Sequence, residues 1–419
     1  MPRKLQAPVA ATEAAMAATA IEVQGAPDAQ RGVLPNATTA RARIASLDIV
    51  RGAVMVLMAI DHVRVYAGVP AGGPTPGIFF TRWVTHFCAP AFIFLAGTAA
   101  YFYGQKVQSR GELAKFLLTR GIWLVLLELT LLRFGWTFNF DYANFTFAGV
   151  IWCIGWSMIV LAGLAFLPTA AVATIGVAII IGHNAIAPLL FVESPSWLLQ
   201  VLYVGGGFKA GPFGVAILYV LLPWIGVMAA GYGFGAVMKQ PANVRRRLCL
   251  TIGLSAVVLF VLLRATGVYG DPRPWPPPPE AQMPSWLAFL NTAKYPASLL
   301  FLLMTLGPVL VILPFLENAR GRLAKWLSVF GEVPFFYYVL HIPLIHVIAL
   351  LISLVRTPGS TGWLIANHPL MPPDVPPGYQ WSLALLYLVT ILVVVALYFP
   401  CRWYAKVKAE SRSRWLRFL

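Results

Sequence analysis

Ten apolar stretches, each about as long as a helix needs to cross a bilayer, divide this chain and sharply limit what it can fold into. They are expected at residues 46–67, 79–102, 114–136, 147–167, 169–191, 213–236, 246–268, 294–316, 334–355 and 381–402. Hydrocarbon offers no partner for an unpaired backbone N–H or C=O, so such stretches must close their hydrogen bonds internally, as helices do. The ten-residue alternation of a transmembrane strand is absent from the sequence, which excludes a β-barrel. With 59% hydrophobic and 11% charged residues, a soluble chain of 419 residues would lack the polar surface to cover its core. The expected fold class is all-α: a polytopic integral membrane protein of about ten transmembrane helices.

Orientation follows from the Lys and Arg residues between the stretches. The N-terminal tail, residues 103–116, 237–248 and 317–326, and the C-terminal tail with Arg402 at its border together carry 21, whereas the opposite loops carry three, Lys209, Arg273 and Arg356. Positive charge is retained on the cytoplasmic side, which places both termini there. The net charge of +16 is thereby absorbed by topology, and no nucleic-acid groove is needed to explain it. In a bacterium the compartment would be the inner membrane.

Three segments are expected along the chain: a disordered cytoplasmic tail over 1–44, a transmembrane domain over 45–402 and a basic cytoplasmic tail over 403–419. The first tail is rich in Ala, Thr, Gln and Pro and lacks the apolar run of a signal peptide. Residues 322–330, ahead of Gly331-Glu332-Val333-Pro334, are expected as an interfacial helix. Two loops opposite the cytoplasm, beginning at Asp271 and at Asn367, are dense in proline and are either a lid or stiff connectors. Cys88, Cys153, Cys249 and Cys401 are scattered without metal-ligand spacing, and no metal is expected.

Ionisable groups inside a span are costly, so each raises a functional question. Arg51 and His62 are eleven residues apart on the first stretch, three helical turns plus about 20°, and so share a face. Asp48 lies one turn before Arg51, and Met55 and Met58 fill the interval. This stripe joins a carboxylate and a guanidinium near the cytoplasm to an imidazole roughly 16 Å further out. The structural reading of the same residues is an (i, i+3) Asp48–Arg51 bridge and an interfacial His62. His86, on the second stretch, is placed to approach His62. Glu128, Arg133, His183, His341 and His346 fall mostly in the outer half and read singly as structural hydrogen-bonding groups. No nucleophile elbow, phosphate loop, dinucleotide fingerprint or zinc-protease motif is present, and no internal repeat stands out.

The segment Arg43-Ile44-Ala45-Ser46-Leu47-Asp48-Ile49-Val50-Arg51-Gly52, followed by Ala89-Pro90-Ala91-Phe92-Ile93-Phe94-Leu95-Ala96-Gly97, resembles the catalytic domain of the heparan-alpha-glucosaminide N-acetyltransferases. Gly149 to Gly155, Phe330 to Tyr338 and Cys401-Arg402-Trp403-Tyr404 are similar to its later landmarks. The pair Arg51 and His62 also resembles the Arg-x10-His element of related membrane acyltransferases. The resemblance implies an acetyl-CoA or other acyl-CoA donor entering from the cytoplasm and a glycan or lipid-linked acceptor on the far side. It puts Arg51 at the donor and His62 in the catalytic position. The heparan enzymes carry Asn in place of His62 and their catalytic His in the next loop; here Ala67 to Gly77 contains no His, so the Arg-x10-His match carries the candidate.

On this reading His62 is the base, Asp61 tunes it, His86 is the alternate base, and Arg51 with Asp48 forms the donor site. Guanidinium suits phosphate because its fork donates two parallel hydrogen bonds. Arg245, Arg246 and Arg247 either attract donor phosphates or only set topology. A transporter or lipid-linked-sugar flippase without chemistry of its own is the alternative, with Asp48, Glu128 and Glu332 on its pathway; a degenerate scaffold is a third. The sequence leaves the acceptor, the acyl chain length and the oligomeric state open.

Overall fold

A computed structural model describes residues 38–73, 75–278, 283–366 and 375–411, with side chains from residue 45 onward. Helix α1 (Thr38–Tyr66) is followed by α2 (Pro76–Trp83), which passes through a 3₁₀ turn into α3 (Cys88–Gly104). Helix α4 (Arg110–Leu127) continues through a π-helical turn, Glu128–Leu132, into α5 (Arg133–Thr137). Strand β1 (Thr146–Ala148) precedes α6 (Val150–Leu164) and α7 (Thr169–Leu190). The short α8 (Trp197–Leu199) leads to strands β2 (Gly206–Ala210) and β3 (Phe213–Ile217). Then come α9 (Leu221–Met238), α10 (Ala242–Thr266), α11 (Ser285–Leu290) and α12 (Leu299–Ile312). The described chain closes with α13 (Arg322–Glu332), α14 (Pro334–Arg356), α15 (Thr361–Ile365) and α16 (Leu383–Glu410).

Among the described residues, seven helices are long and apolar enough to cross a membrane: Pro76–Gly104, α7, α9, α10, Leu299–Leu316, α14 and α16. The protein is a mostly helical integral membrane protein. The other expected spans also coincide with helices. Their sequences differ from the seven because α1 carries Asp48, Arg51, Asp61 and Arg64, α4 runs into the π turn, and α6 is only 15 residues long.

Four boundaries depart from the sequence reading. Helix α1 begins at Thr38, and α16 runs on to Glu410. Residues 213–217, expected as helix, form β3, which pairs antiparallel with β2 and parallel with β1. Gly211, at φ +59, makes the turn between β2 and β3. Apolar residues run unbroken from β3 into α9, so hydropathy could not separate strand from helix. The 294–316 stretch starts its helix only at Leu299, because Pro296 withholds an N–H and restricts the residue before it. The expected tail over residues 1–37, the loop residues 367–374 and the terminal 412–419 lie outside the described residues.

Helix α9 is the centre of the bundle, packed between α3 and α7 and against α6; 67% of its apolar window is buried, against 17% for α7. Water is not available to drive helices together in lipid, so close backbone approach at small residues does the work. A Cβ on Gly97 would meet the Met228 carbonyl, and one on Gly231 the Phe94 carbonyl. Elsewhere in the bundle Gly52 faces the backbone of Leu327, and Gly331 faces that of Asp48. The two glycines belong to separate motifs of the sequence and lock α1 against α13.

Candidate active site

The α1–α13 crossing borders a cavity of about 800 Å³. One end is lined by Asp48, Arg51, Lys106, Arg120, Glu332 and Lys408; Met55, Met58, Cys88, Phe92, Leu124 and Met158 line its apolar middle. The other end is lined by Asp61, His62, Thr85, Tyr219, Lys294 and Tyr338. Helical periodicity accounts for the stripe along α1: Arg51, Met55, Met58 and His62 all reach the same space.

At the first end Arg51 Nη1 donates to Asp48 Oδ1 at 2.9 Å, so the bridge anticipated from the spacing exists and still lines the cavity. Lys408 Nζ, from α16, lies 3.5 Å from the Glu332 carbonyl. Four cations and two carboxylates thus share this end.

At the other end His62 Nδ1 and His341 Nε2 are 2.5 Å apart. His341 Nδ1 sits 2.7 Å from the Tyr338 carbonyl oxygen, which can only accept, so that nitrogen carries the proton. For two neutral rings the remaining assignment follows: His341 Nε2 accepts from His62 Nδ1, and His62 Nε2 keeps its lone pair for the cavity. The proton positions are assigned from the network. Trp136 packs edge-on to His62 with centroids 4.8 Å apart. His341 had been read from sequence as a structural hydrogen-bonding group; its pairing with His62 needed the meeting of α1 and α14, which no spacing encodes.

Asp61 lines the cavity but does not bond to His62. Its Oδ1 accepts from Arg64 Nε at 3.0 Å and its Oδ2 from Arg82 Nη1 at 2.6 Å. His86 does not line the cavity; its ring packs edge-on to Phe301 at 5.3 Å, and its Nδ1 is buried without a hydrogen-bond partner among the described residues. Lys294, the first residue of the expected 294–316 span and not among the sequence-based candidates, reaches the cavity from the turn between α11 and α12. That turn is held by Asp271, whose Oδ2 accepts from the Ala293 N–H at 2.8 Å and from Ser298 Oγ at 2.5 Å. Tyr219 is delivered by the small sheet, where the Leu218 and Tyr219 N–H groups both donate to the Ala148 carbonyl.

Glu128, Arg133, His183, His346 and Arg245, also singled out in the sequence, have structural partners. Glu128 Oε2 accepts from the Ile151 and Trp152 N–H groups at 2.7 and 3.0 Å and so caps α6, whose own N-cap is Gly149. Arg133 donates to the carbonyls of Phe145, Asn139 and Asp141, which ties down the loop ahead of β1. His183 contacts the Tyr203 hydroxyl, and His346 stacks on Phe138. Arg245 forms a bidentate pair with Glu317, while Arg246 and Arg247 line a separate pocket; none of the three lines the main cavity.

These features define a helical membrane protein with a long internal cavity, cationic at one end and bearing an imidazole pair at the other. The family model for heparan-alpha-glucosaminide N-acetyltransferase, catalytic, matches residues 43–265, over half of the chain, and the protein belongs to that family. The match contains Arg51 and His62 and ends before Lys294 and His341. No curated protein matches the chain significantly.

Proposed function

We propose that the protein is a transmembrane acetyl- or acyltransferase that moves an acyl group from cytosolic acyl-CoA to a sugar amine or hydroxyl on the opposite side. One observation carries this reading: Arg51 and His62 line the same cavity, separated by about 16 Å of helix with an apolar passage between them. The phosphates of the donor fit the Arg51 end, where Arg51, Lys106, Arg120 and Lys408 outnumber Asp48 and Glu332. The pantetheine arm fits the apolar middle and brings the thioester towards His62.

The chemistry then needs one base. His62 Nε2 takes the proton of the acceptor O–H or N–H as its oxygen or nitrogen attacks the thioester carbonyl. The C–S bond breaks, the acyl group stays on the acceptor, and the coenzyme leaves as a thiolate that recovers the proton from His62. His341 holds the ring in the tautomer that leaves Nε2 free, the role of the orienting group in any base-assisted acyl transfer. Ten membrane crossings with both termini cytoplasmic fit the charge distribution and put the Arg51 end on the cytoplasmic side.

The test is acetyl transfer from radiolabelled acetyl-CoA to amino-sugar acceptors by the purified protein. His62→Ala is expected to lower the rate about 10²- to 10⁴-fold with its fold retained. Full activity in that variant would remove His62 from the chemistry. Uptake of sugar into vesicles without any coenzyme would instead favour a transporter.

A further inference from the structure

Lys294 is 6% exposed and lines the cavity beside His62, yet among the described residues its ammonium has no ion pair and no hydrogen bond. Two ring faces lie against it, Tyr295 at 5.2 Å and Tyr219 at 5.7 Å. The carboxylate whose field it feels, Asp61, already spends one oxygen on Arg64 and the other on Arg82. Three cations therefore gather around one carboxylate in a buried setting. A buried charge without a counter-charge is costly, and aromatic faces return only part of that cost. The turn bearing Lys294 is pinned by Asp271, so the side chain starts from a fixed backbone.

We infer that Lys294 forms an anion-binding subsite for the acceptor, which would carry a carboxylate or phosphate group close to the hydroxyl or amine that is acylated. The assignment to the acceptor rests on the transferase reading: the donor's phosphates fit the far end of the cavity, and the thioester that reaches His62 is uncharged. Guanidinium groups already committed to Asp61 leave the Lys294 ammonium as the group free to receive the anion. A uronate within a glycan and a sugar phosphate of a lipid-linked precursor present the same oxyanion chemistry.

The experiment uses the full-length protein purified in detergent, its thermal melting titrated with glucuronate, glucose 6-phosphate, glucose and coenzyme A. Wild type is expected to bind one or both anionic sugars at least about tenfold more tightly than glucose, the loss that a missing charge-assisted hydrogen bond would cause. Preference for glucuronate over glucose 6-phosphate, or the reverse, separates the two sources. Lys294→Gln is expected to lose the preference and keep its affinity for coenzyme A, while Lys294→Arg keeps both. Equal binding of anionic and neutral sugars by wild type overturns the inference, even if Lys294→Gln fails to fold. So does a preference that survives in Lys294→Gln. Anion preference without any coenzyme A binding would uphold the subsite and count against the transferase reading, so the two can fail separately.

Discussion

At the Arg51 end of the cavity, four cations and two carboxylates come from several elements; at the His62 end, Arg64 and Arg82 pair with Asp61, and Lys294 stands near the same carboxylate without an ion pair. The excess of positive charge is similar, but the construction differs. The Arg51 and Asp48 side chains are 19% and 11% exposed and form a local (i, i+3) bridge. Asp61 joins a neighbour on its own helix to Arg82 from α2, and Lys294 comes from a turn more than 200 residues later. The first end is partly exposed, and on the proposed reading it admits the donor's phosphates. The second is pre-organised, and its charges have nowhere to relax.

The largest expected effect sets these two ends directly against each other. Asp61→Asn removes the shared counter-charge from buried guanidinium groups and is expected to cost about 3–5 kcal/mol. Asp48→Asn breaks a partly exposed bridge worth about 0–1 kcal/mol. Melting temperatures of the two variants in one detergent should therefore differ widely; equal shifts would erase the distinction. A smaller effect is expected from His341→Phe, which removes the acceptor that sets the His62 tautomer. Its kcat should fall about 10- to 100-fold with little change in KM for acetyl-CoA, since the interaction lost concerns the base and leaves donor binding in place. A raised KM with unchanged kcat would mean that His341 acts on donor binding. The mildest change is Arg51→Met, expected to raise KM for acetyl-CoA about tenfold, as loss of one charge-assisted contact to phosphate predicts. If it lowered kcat alone, the donor's phosphates would not sit at that end.

The helical membrane architecture was legible in the chain because each span is a local property, set by the length of an apolar run. The stripe of Arg51, Met55, Met58 and His62 was legible for the same reason: residues on one helix keep a fixed angular relation whatever surrounds them. The expected approach of His86 to His62 concerned two helices, and there the reading failed: His86 lies against Phe301, and His341 took the place beside His62. The strand at 213–217 was hidden because a short apolar run looks alike as strand or helix until its partner, Thr146–Ala148, is known.

By itself the sequence determined the membrane class and the face of α1 on which Arg51 and His62 lie, since periodicity and transfer free energy act over one or two dozen neighbouring residues. Only the tertiary structure decided that this face opens on a cavity, that Asp61 belongs to Arg64 and Arg82, and that Lys294 reaches the site. Those outcomes depend on which backbones approach closely enough to touch, as Gly52 and Gly331 allow α1 and α13 to do, and on which buried charges then find a partner.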